Sequence, residues 1–337
     1  MNRKIRSIAV LALLAVAVAA LVLFLRHRQA VPEPGPVSGK LVVRFLDVGQ
    51  GDSELISLPN GETILIDSGD RGSPTVELLK KYAVKEITLI IATHPHADHI
   101  GDMRDVMRAF KVREVWDSGF NHATKTYGDM LQEIRDKGIK FATPKRGDMR
   151  TFGDVLLEIL NPADQPPDDN PNNASLVARL TYGEKTFLFT GDAEDYENSA
   201  KPSAWEQMLG AEKGKLHVDL LKAAHHGSSN GTTREVIDAV RPSILTISCA
   251  AGNDYHHPHP KVMRMLEQDR NRIKVYRTDL EGTITAVCDG RQIEMSTEKQ
   301  VAGDRLYLTG DEVAGSVASD GKGQDSRQNG RAAKRSR

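Results

Sequence analysis

The run Ile87-Thr88-Leu89-Ile90-Ile91-Ala92-Thr93-His94-Pro95-His96-Ala97-Asp98-His99-Ile100-Gly101 decides how this chain is read. Its aliphatic, β-branched first half predicts a buried strand over Ile87–Ala92. The end of that strand delivers four metal-ligating side chains within six positions: His94, His96, Asp98 and His99. Alternate residues leaving a strand share a side, so His94 and His96 converge on one cation. Asp98 and His99 turn into the following loop and face a second. Neutral imidazole and carboxylate suit zinc, which takes such donors at about 2.0–2.2 Å.

Outward from this run the same design recurs. Eight of the 11 histidines fall in three short clusters, each at or just after the end of a predicted strand. The apolar strand Phe187-Leu188-Phe189 runs through Thr190-Gly191 into Asp192, a single carboxylate placed to bridge two cations. Leu220-Leu221-Lys222-Ala223-Ala224 runs into His225-His226-Gly227-Ser228. Adjacent side chains leave a strand in opposite directions, so one of His225 and His226 is expected as a ligand and the other as a supporting group or proton donor. A last cluster, Asn253-Asp254-Tyr255-His256-His257-Pro258-His259-Pro260, precedes a helix, and one of its imidazoles is expected to reach the site. The expected ligands are thus His94, His96, Asp98, His99, Asp192, His225 and His226, and the candidate catalytic groups are Asp98, His226 and His257.

Residues 41–298 alternate short aliphatic runs with helical stretches, the pattern of an α/β sandwich. Strands are predicted at Leu41–Leu46, Thr63–Ile66, Ile87–Ala92, Val155–Leu160, Leu176–Thr181, Thr186–Phe189, Val218–Ala223, Ile244–Ser248 and Thr283–Val287. Helices are predicted at Thr75–Tyr82, Asp102–Phe110, Tyr127–Lys137, Thr233–Val240 and Pro260–Gln268. Thr232 with Glu235 fits a capping box, and Pro260 suits a first helical position. Strand pairs early and late, with helices between, point to two packed sheets and not to one doubly wound sheet. Asn161–Asn173, with four prolines and no periodicity, is expected as a long irregular loop.

The remainder of the chain sets limits. Its 337 residues carry 45 basic and 46 acidic side chains, a net charge of −1 that provides no global field for steering nucleic acid. With 39% hydrophobic content and two cysteines, collagen, a disulfide scaffold and a multi-span membrane protein are excluded. Cys249 and Cys288 are too far apart for a thiolate zinc motif and are expected in the core, with a disulfide between them left open. Ile8–Leu25 is an unbroken run of 18 apolar residues, the lower limit for a hydrocarbon layer of ~30 Å, between Arg3, Lys4, Arg6 and Arg26, His27, Arg28. Residues 1–28 are therefore expected as an uncleaved single-pass anchor. The charge bias puts the N-terminus in the cytoplasm and the body outside. Residues 29–39, with Pro32, Pro34 and Pro36, form an extended linker, residues 40–298 the catalytic body, and residues 299–337 a disordered tail.

His94-Pro95-His96-Ala97-Asp98-His99 resembles the HxHxDH signature of the metallo-β-lactamase superfamily. Phe45-Leu46-Asp47-Val48-Gly49-Gln50-Gly51-Asp52, Leu65-Ile66-Asp67-Ser68-Gly69, His225-His226-Gly227-Ser228 and Tyr276-Arg277-Thr278-Asp279 are similar to the hydrolase domain of the ComEC competence proteins. The resemblance implies an αββα sandwich with a metal site at one edge, between the sheets. It also implies that Asp67 orients the metal-binding loop without binding metal. The superfamily usually supplies a further histidine before the Gly-Asp strand. Here Pro171-Asn172-Asn173-Ala174-Ser175 offers asparagine, so Asn173 is expected beside the site, and the first metal is expected to be weakly held or to be manganese. ComEC proteins carry many membrane spans, and this chain has one.

The expected activity is that of a membrane-anchored hydrolase with two divalent ions, zinc or else manganese. Such ions sit ~3.5–4 Å apart and lower the pKa of a bound water to about 7, which makes serine or cysteine nucleophiles unnecessary. His257 or the non-ligand member of the histidine pair would protonate the leaving group. A phosphodiester, DNA included, is the expected substrate, chiefly from the resemblance. A lactam, lactone or thioester is the alternative, and a non-catalytic domain binding DNA or an envelope partner is a third reading.

Overall fold

The computed structural model describes residues 39–163, 170–195 and 202–316. The expected membrane anchor and almost all of the linker lie outside the described residues. Among the described residues no helix is long and apolar enough to cross a membrane.

Two sheets carry the fold. The first contains β1 (Leu41–Phe45), β2 (Glu54–Ser57), β3 (Thr63–Ile66), β4 (Glu86–Ala92), β5 (Lys111–Asp117), β6 (Lys140–Ala142), β14 (Ile284–Cys288) and β15 (Ile293–Thr297), in the order β15-β14-β1-β2-β3-β4-β5-β6. The second contains β7 (Met149–Phe152), β8 (Val155–Asn161), β9 (Val177–Tyr182), β10 (Lys185–Phe189), β11 (Leu220–Lys222), β12 (Ile244–Ile247) and β13 (Lys274–Arg277), in the order β13-β12-β11-β10-β9-β8-β7. Each sheet is antiparallel on one side and parallel on the other. The change of direction falls at β3 in the first sheet and at β10 in the second.

Parallel neighbours need crossovers, and helices supply them. They are α1 (Thr75–Lys81) and, after the short turn α2 (Ala97–Ile100), α3 (Met103–Ala109) and α4 (Lys125–Lys137) on the first sheet. On the second are α5 (Ala204–Ala211), α6 (Arg234–Val240) and α7 (Pro260–Gln268), with a short α8 (Thr278–Glu281) after β13. The period-two alternation of the strands sorts their side chains into layers. Leu41, Val43 and Phe45 join Phe187, Phe189 and Leu157 in an apolar layer between the sheets. Leu65, Ile87 and Ile90 face α1, α3 and α4, while Leu188, Leu221 and Leu245 face α5, α6 and α7. This is the expected αββα sandwich.

The expected strands and helices are present, most with ends moved by one or two residues. Six strands were not expected: β2, β5, β6, β7, β13 and β15. Four of them are the sheet edges, where one flank lacks a neighbour and charged or polar side chains interrupt the apolar pattern. In β5, Arg113 and Glu114 have the same effect. Helix α5 was also missed, although it carries a true capping box between Ser203 and Glu206. The box expected at Thr232 and Glu235 does not form. Thr233 is the cap, accepting from the Val236 amide, while the Thr232 hydroxyl donates to the Ala224 carbonyl at 3.0 Å. Within the expected loop Asn161–Asn173, Asn161 closes β8 and Pro171–Ala174 forms a 3-10 turn. Cys249 and Cys288 are buried, unpaired core residues. Residues 299–316, expected as the start of the tail, lie against the body: Arg305–Tyr307 is a 3-10 turn, residues 310–316 are helical and Val313 is fully buried. Leu306, Leu308 and Val313 supply the apolar and backbone contacts that the polar composition of the segment conceals.

Candidate metal centre

The four strands flanking the two changes of direction, β3, β4, β10 and β11, end at one rim, and the residues that follow them meet there. Asp67 follows β3 with a left-handed backbone, φ 54°. It accepts from the Thr93 amide at 2.8 Å, the Thr93 hydroxyl at 2.6 Å and His99 Nδ1 at 2.7 Å. Because the Thr93 hydroxyl proton is committed to Asp67, its oxygen accepts from His94 Nδ1 at 3.1 Å. One buried carboxylate therefore fixes the ring orientations of His94 and His99 and leaves the Nε2 atom of each facing the rim.

Helix α2 carries Asp98 and His99 into place. It is supported from below by the loop Gly49–Asp52, whose Asp52 amide donates to the Asp98 carbonyl at 3.1 Å. Gly51, at φ 120°, lies so close that a Cβ there would collide with the Asp98 carbonyl. This is the physical content of the Gly49-Gln50-Gly51-Asp52 motif: the chain must pass beneath the ligand loop with no side chain between.

Asp192 lies at the centre. Its Oδ2 is 3.3 Å from His99 Nε2, 3.6 Å from His225 Nε2 and 3.9 Å from His94 Nε2, and its Oδ1 is 3.6 Å from His226 Nε2. His226 Nε2 is also 3.3 Å from Asp98 Oδ2. His96 Nδ1 lies 3.0 Å from His94 Nε2. Asp98, His99, Asp192 and His226 each bring a donor atom within 4.8 Å of the others. Among these, His99 Nε2, His226 Nε2 and Asp192 Oδ1 are buried without a hydrogen-bond partner. Orphaned donors converging on one point, all of them imidazole nitrogen or carboxylate oxygen, fit a divalent cation.

The histidine pair departs from the strand rule. Strand β11 stops at Lys222, and His225 and His226 both take left-handed backbone, φ 51° and 53°. The alternation of a strand no longer applies, so both rings face Asp192. His226 Nδ1 donates to the Ser248 carbonyl at 2.8 Å. His225 Nδ1 lies 2.9 Å from Glu194 Oε1. That carboxylate also receives the side-chain amides of Asn170 at 2.6 Å, Asn172 at 2.9 Å and Asn230 at 3.0 Å. Asn173 is buried with its amide oxygen committed to the backbone: it accepts from the Glu194 and Ala204 amides at 3.2 Å each. Asn172, and not Asn173, lines the cleft. The cleft has a volume of about 430 Å³, with His96, Asp98, Asp192, Tyr255 and His257 also in its walls. Within the last cluster, His257 is buried beside the pair, whereas His256 is exposed and His259 is held by the Ser229 amide at 3.0 Å.

Burial and charge act against each other here. Burial drives His94 well below the usual imidazole range, with the positive charge of His99 acting in the same direction, so it remains a neutral donor. Burial alone would also lower His226, but Asp192 and Asp52 outweigh it and carry it up to about 10. His99 is raised well above its ordinary value in the same way, by Asp192, Asp98 and Asp67 against burial. Burial opposes ionisation of Asp192, yet His99, His226 and His225 hold it well below the carboxylate range.

Beneath the ligands, Lys222 and Asp52 form a fully buried ion pair, and Asp52 Oδ1 is 3.2 Å from His226 Nδ1. Asp52, Lys222, Glu194 and Asn172 were not singled out from the sequence. A lysine inside a buried strand was the available signal, because such a side chain is almost never buried without a partner.

The family model described as "Metallo-beta-lactamase superfamily" matches residues 46–251. The chain is 32% identical over 262 residues to "ComE operon protein 3" of Bacillus subtilis, covering 72% of this chain and 32% of that protein. It is 31% identical over 238 residues to "Recombination protein 2" of Haemophilus influenzae, covering 69% and 27%. It thus spans about a third of the length of these curated relatives. Among solved structures it is similar to Igni18, described as a novel metallo hydrolase from Ignicoccus hospitalis, at 16% identity, TM-score 0.47, 72% of this chain and 98% of that one. With its signature histidines assembled at the rim of an αββα sandwich and the family match covering most of the body, the chain belongs to the metallo-β-lactamase superfamily.

Proposed function

We propose that this protein is a membrane-tethered, dinuclear metal-dependent phosphodiesterase. The observation that carries the reading is the position of Asp192. Its Oδ2 lies 3.9 Å from His94 and 3.3 Å from His99, and its Oδ1 lies 3.6 Å from His226, so one carboxylate touches both halves of the donor set. His94 and His96 would hold one cation, Asp98, His99 and His226 the other, with Asp192 between them. Divalent ions held there supply acidification of water and neutralisation of charge on phosphoryl oxygens. Zinc suits the donors, and manganese is the alternative where Asn172 stands in place of an imidazole.

The chain's own residues do the rest. Asp67 keeps His94 and His99 in the tautomers that present Nε2. His225 Nδ1 lies 2.9 Å from Glu194 Oε1, and its Nε2 lies 3.6 Å from Asp192 Oδ2. This placement suits a ring that contacts the cation pair or the leaving group. His257 is pushed down to about 3, first by burial and then by His226 and His225. A ring held neutral in this way fits a hydrogen-bonding contact to substrate better than the proton-donor role expected of it. The similarity to competence proteins supports DNA or another nucleotide diester as substrate, and the anchor expected at residues 1–28 would tether the domain outside the cytoplasm.

The full chain, purified in detergent and loaded with zinc or manganese, tests the reading on bis-p-nitrophenyl phosphate, single-stranded DNA, nitrocefin and a lactone. Turnover of the diesters with about two metals per chain supports it. Turnover of nitrocefin or the lactone alone moves the chemistry to acyl hydrolysis. Metal without turnover of any of them points to a binding domain.

A further inference from the structure

Tyr276-Arg277-Thr278-Asp279 plays no part in the metal centre, yet Arg277 is one of the largest fully buried side chains in the protein. Asp279 grips its guanidinium at both ends, Nε at 3.0 Å and Nη2 at 2.7 Å. The remaining nitrogen, Nη1, donates to the backbone carbonyls of Leu306 and Leu308. A buried, doubly paired arginine spent on two carbonyls of a segment near the end of the chain anchors that segment in one place.

From this anchor the segment crosses the back of the loop Asn253–His259. The Gly310 amide donates to the Pro258 carbonyl at 3.3 Å, and His256 Nδ1 lies 2.8 Å from Asp311 Oδ1. Gly310 packs so closely that a Cβ would collide with the His257 carbonyl. Val313 is fully buried one turn further on. The front of the same loop carries His257 and Tyr255 into the metal cleft, with their rings stacked at 5.8 Å and 22°.

We propose that residues 304–316 form a strap, locked by Arg277, that positions the substrate wall of the cleft, and that Arg277 and Gly310 are its positioning residues. The placement of the wall stands on contacts alone. Its effect on turnover rests on the phosphodiesterase reading.

The test uses the full, metal-loaded chain with Gly310→Ala, Val313→Ala and, as control, Gly315→Ala, where an added Cβ meets nothing within 4 Å. Two quantities are read: KM and kcat on bis-p-nitrophenyl phosphate, and carbethoxylation of His257 by peptide mass spectrometry, with exposed His217, remote from the strap, as internal standard. For Gly310→Ala, metal content is unchanged, kcat/KM falls on the order of 10-fold or more, mainly through KM, and His257 labelling rises several-fold. Val313→Ala moves both readouts the same way by less, and Gly315→Ala moves neither. Should Gly310→Ala unfold the body, Val313→Ala decides alone. Wild-type labelling and kinetics in both strap variants would overturn the proposal. If wild type hydrolyses no diester, the functional reading fails separately, and the labelling still decides whether the strap holds the wall.

Discussion

Asp192 and Asp117 make an instructive pair. Each stands at the C-terminal end of a buried strand, each is 1% exposed, and each has one carboxylate oxygen without a hydrogen-bond partner. Asp192 is ringed by four imidazoles and stays ionised against the effect of burial. Asp117 has only the Gly119 amide at 2.7 Å and the Tyr127 hydroxyl at 3.1 Å, with Leu131 and Ile134 of α4 in the same hollow. Burial pushes it up to about 6. Depth in the protein is therefore not what makes a carboxylate a ligand. A ring of imidazoles marks the candidate ligand, whereas Lys145 alone lowers Asp117 too little to offset burial.

The sharpest way to break this comparison is Asp192→Asn. It removes the shared charge and is expected to abolish diester turnover and lower metal content, beyond the roughly 10- to 100-fold loss that follows from removing an outer partner of a ligand. Metal analysis alongside kinetics reads both. Next in size, Lys222→Met takes from buried Asp52 its main cationic partner and leaves only His226 and His99, which is expected to cost up to about 3–5 kcal/mol in urea unfolding. The double change Asp52→Asn with Lys222→Met should recover part of that loss.

A third effect depends on pH. In metal-free protein His226 is raised from the usual 6.5 to about 10, so its contribution to stability is fully present below 6.5 and is lost as pH rises through about 10. Chelated protein should lose melting temperature across that window more steeply than loaded protein, in which the cations take over the neutralising role.

The smallest effect belongs to Asp117. Its folded pKa of about 6 lies above the ordinary 3.8, so stability falls as pH rises from 3.8 to 6 and stays reduced above it. Asp117→Asn is expected to stabilise the protein by about 1–3 kcal/mol at neutral pH and to bring no gain below pH 4. Loss of metal in that variant would contradict the contrast drawn with Asp192.

Much of the centre was legible because its candidate ligands cluster along the chain. His94, His96, Asp98 and His99 share one turn, and Asp192 and the His225-His226 pair each follow a plainly apolar strand. The structure brings all of them to one rim. What the pattern did not carry was support arriving from a distance. Glu194, beside His225, gathers three amides from two separate stretches, and Lys222 meets Asp52 from the opposite sheet. The sandwich was likewise readable from its interior strands other than β2 and β5. Its four edge strands, half wet and broken by charge, were not. Nor was the strap, because Leu306, Tyr307, Leu308 and Val313 are few and lack a sustained period, and the polar residues that follow them gave the whole stretch the composition of a tail.

The change of direction at β3 and β10 has a consequence for the order of events during synthesis. His94, Asp192 and His226 follow strands β4, β10 and β11, far apart in the chain but brought together in space, so no fragment ending before residue 226 contains the full set of candidate ligands. A cation that needs all of these groups would find them together only once β4, β10 and β11 have assembled. That assembly is non-local strand pairing, the slow part of folding for a mixed topology, so a cation held there would act as a latch on the finished fold.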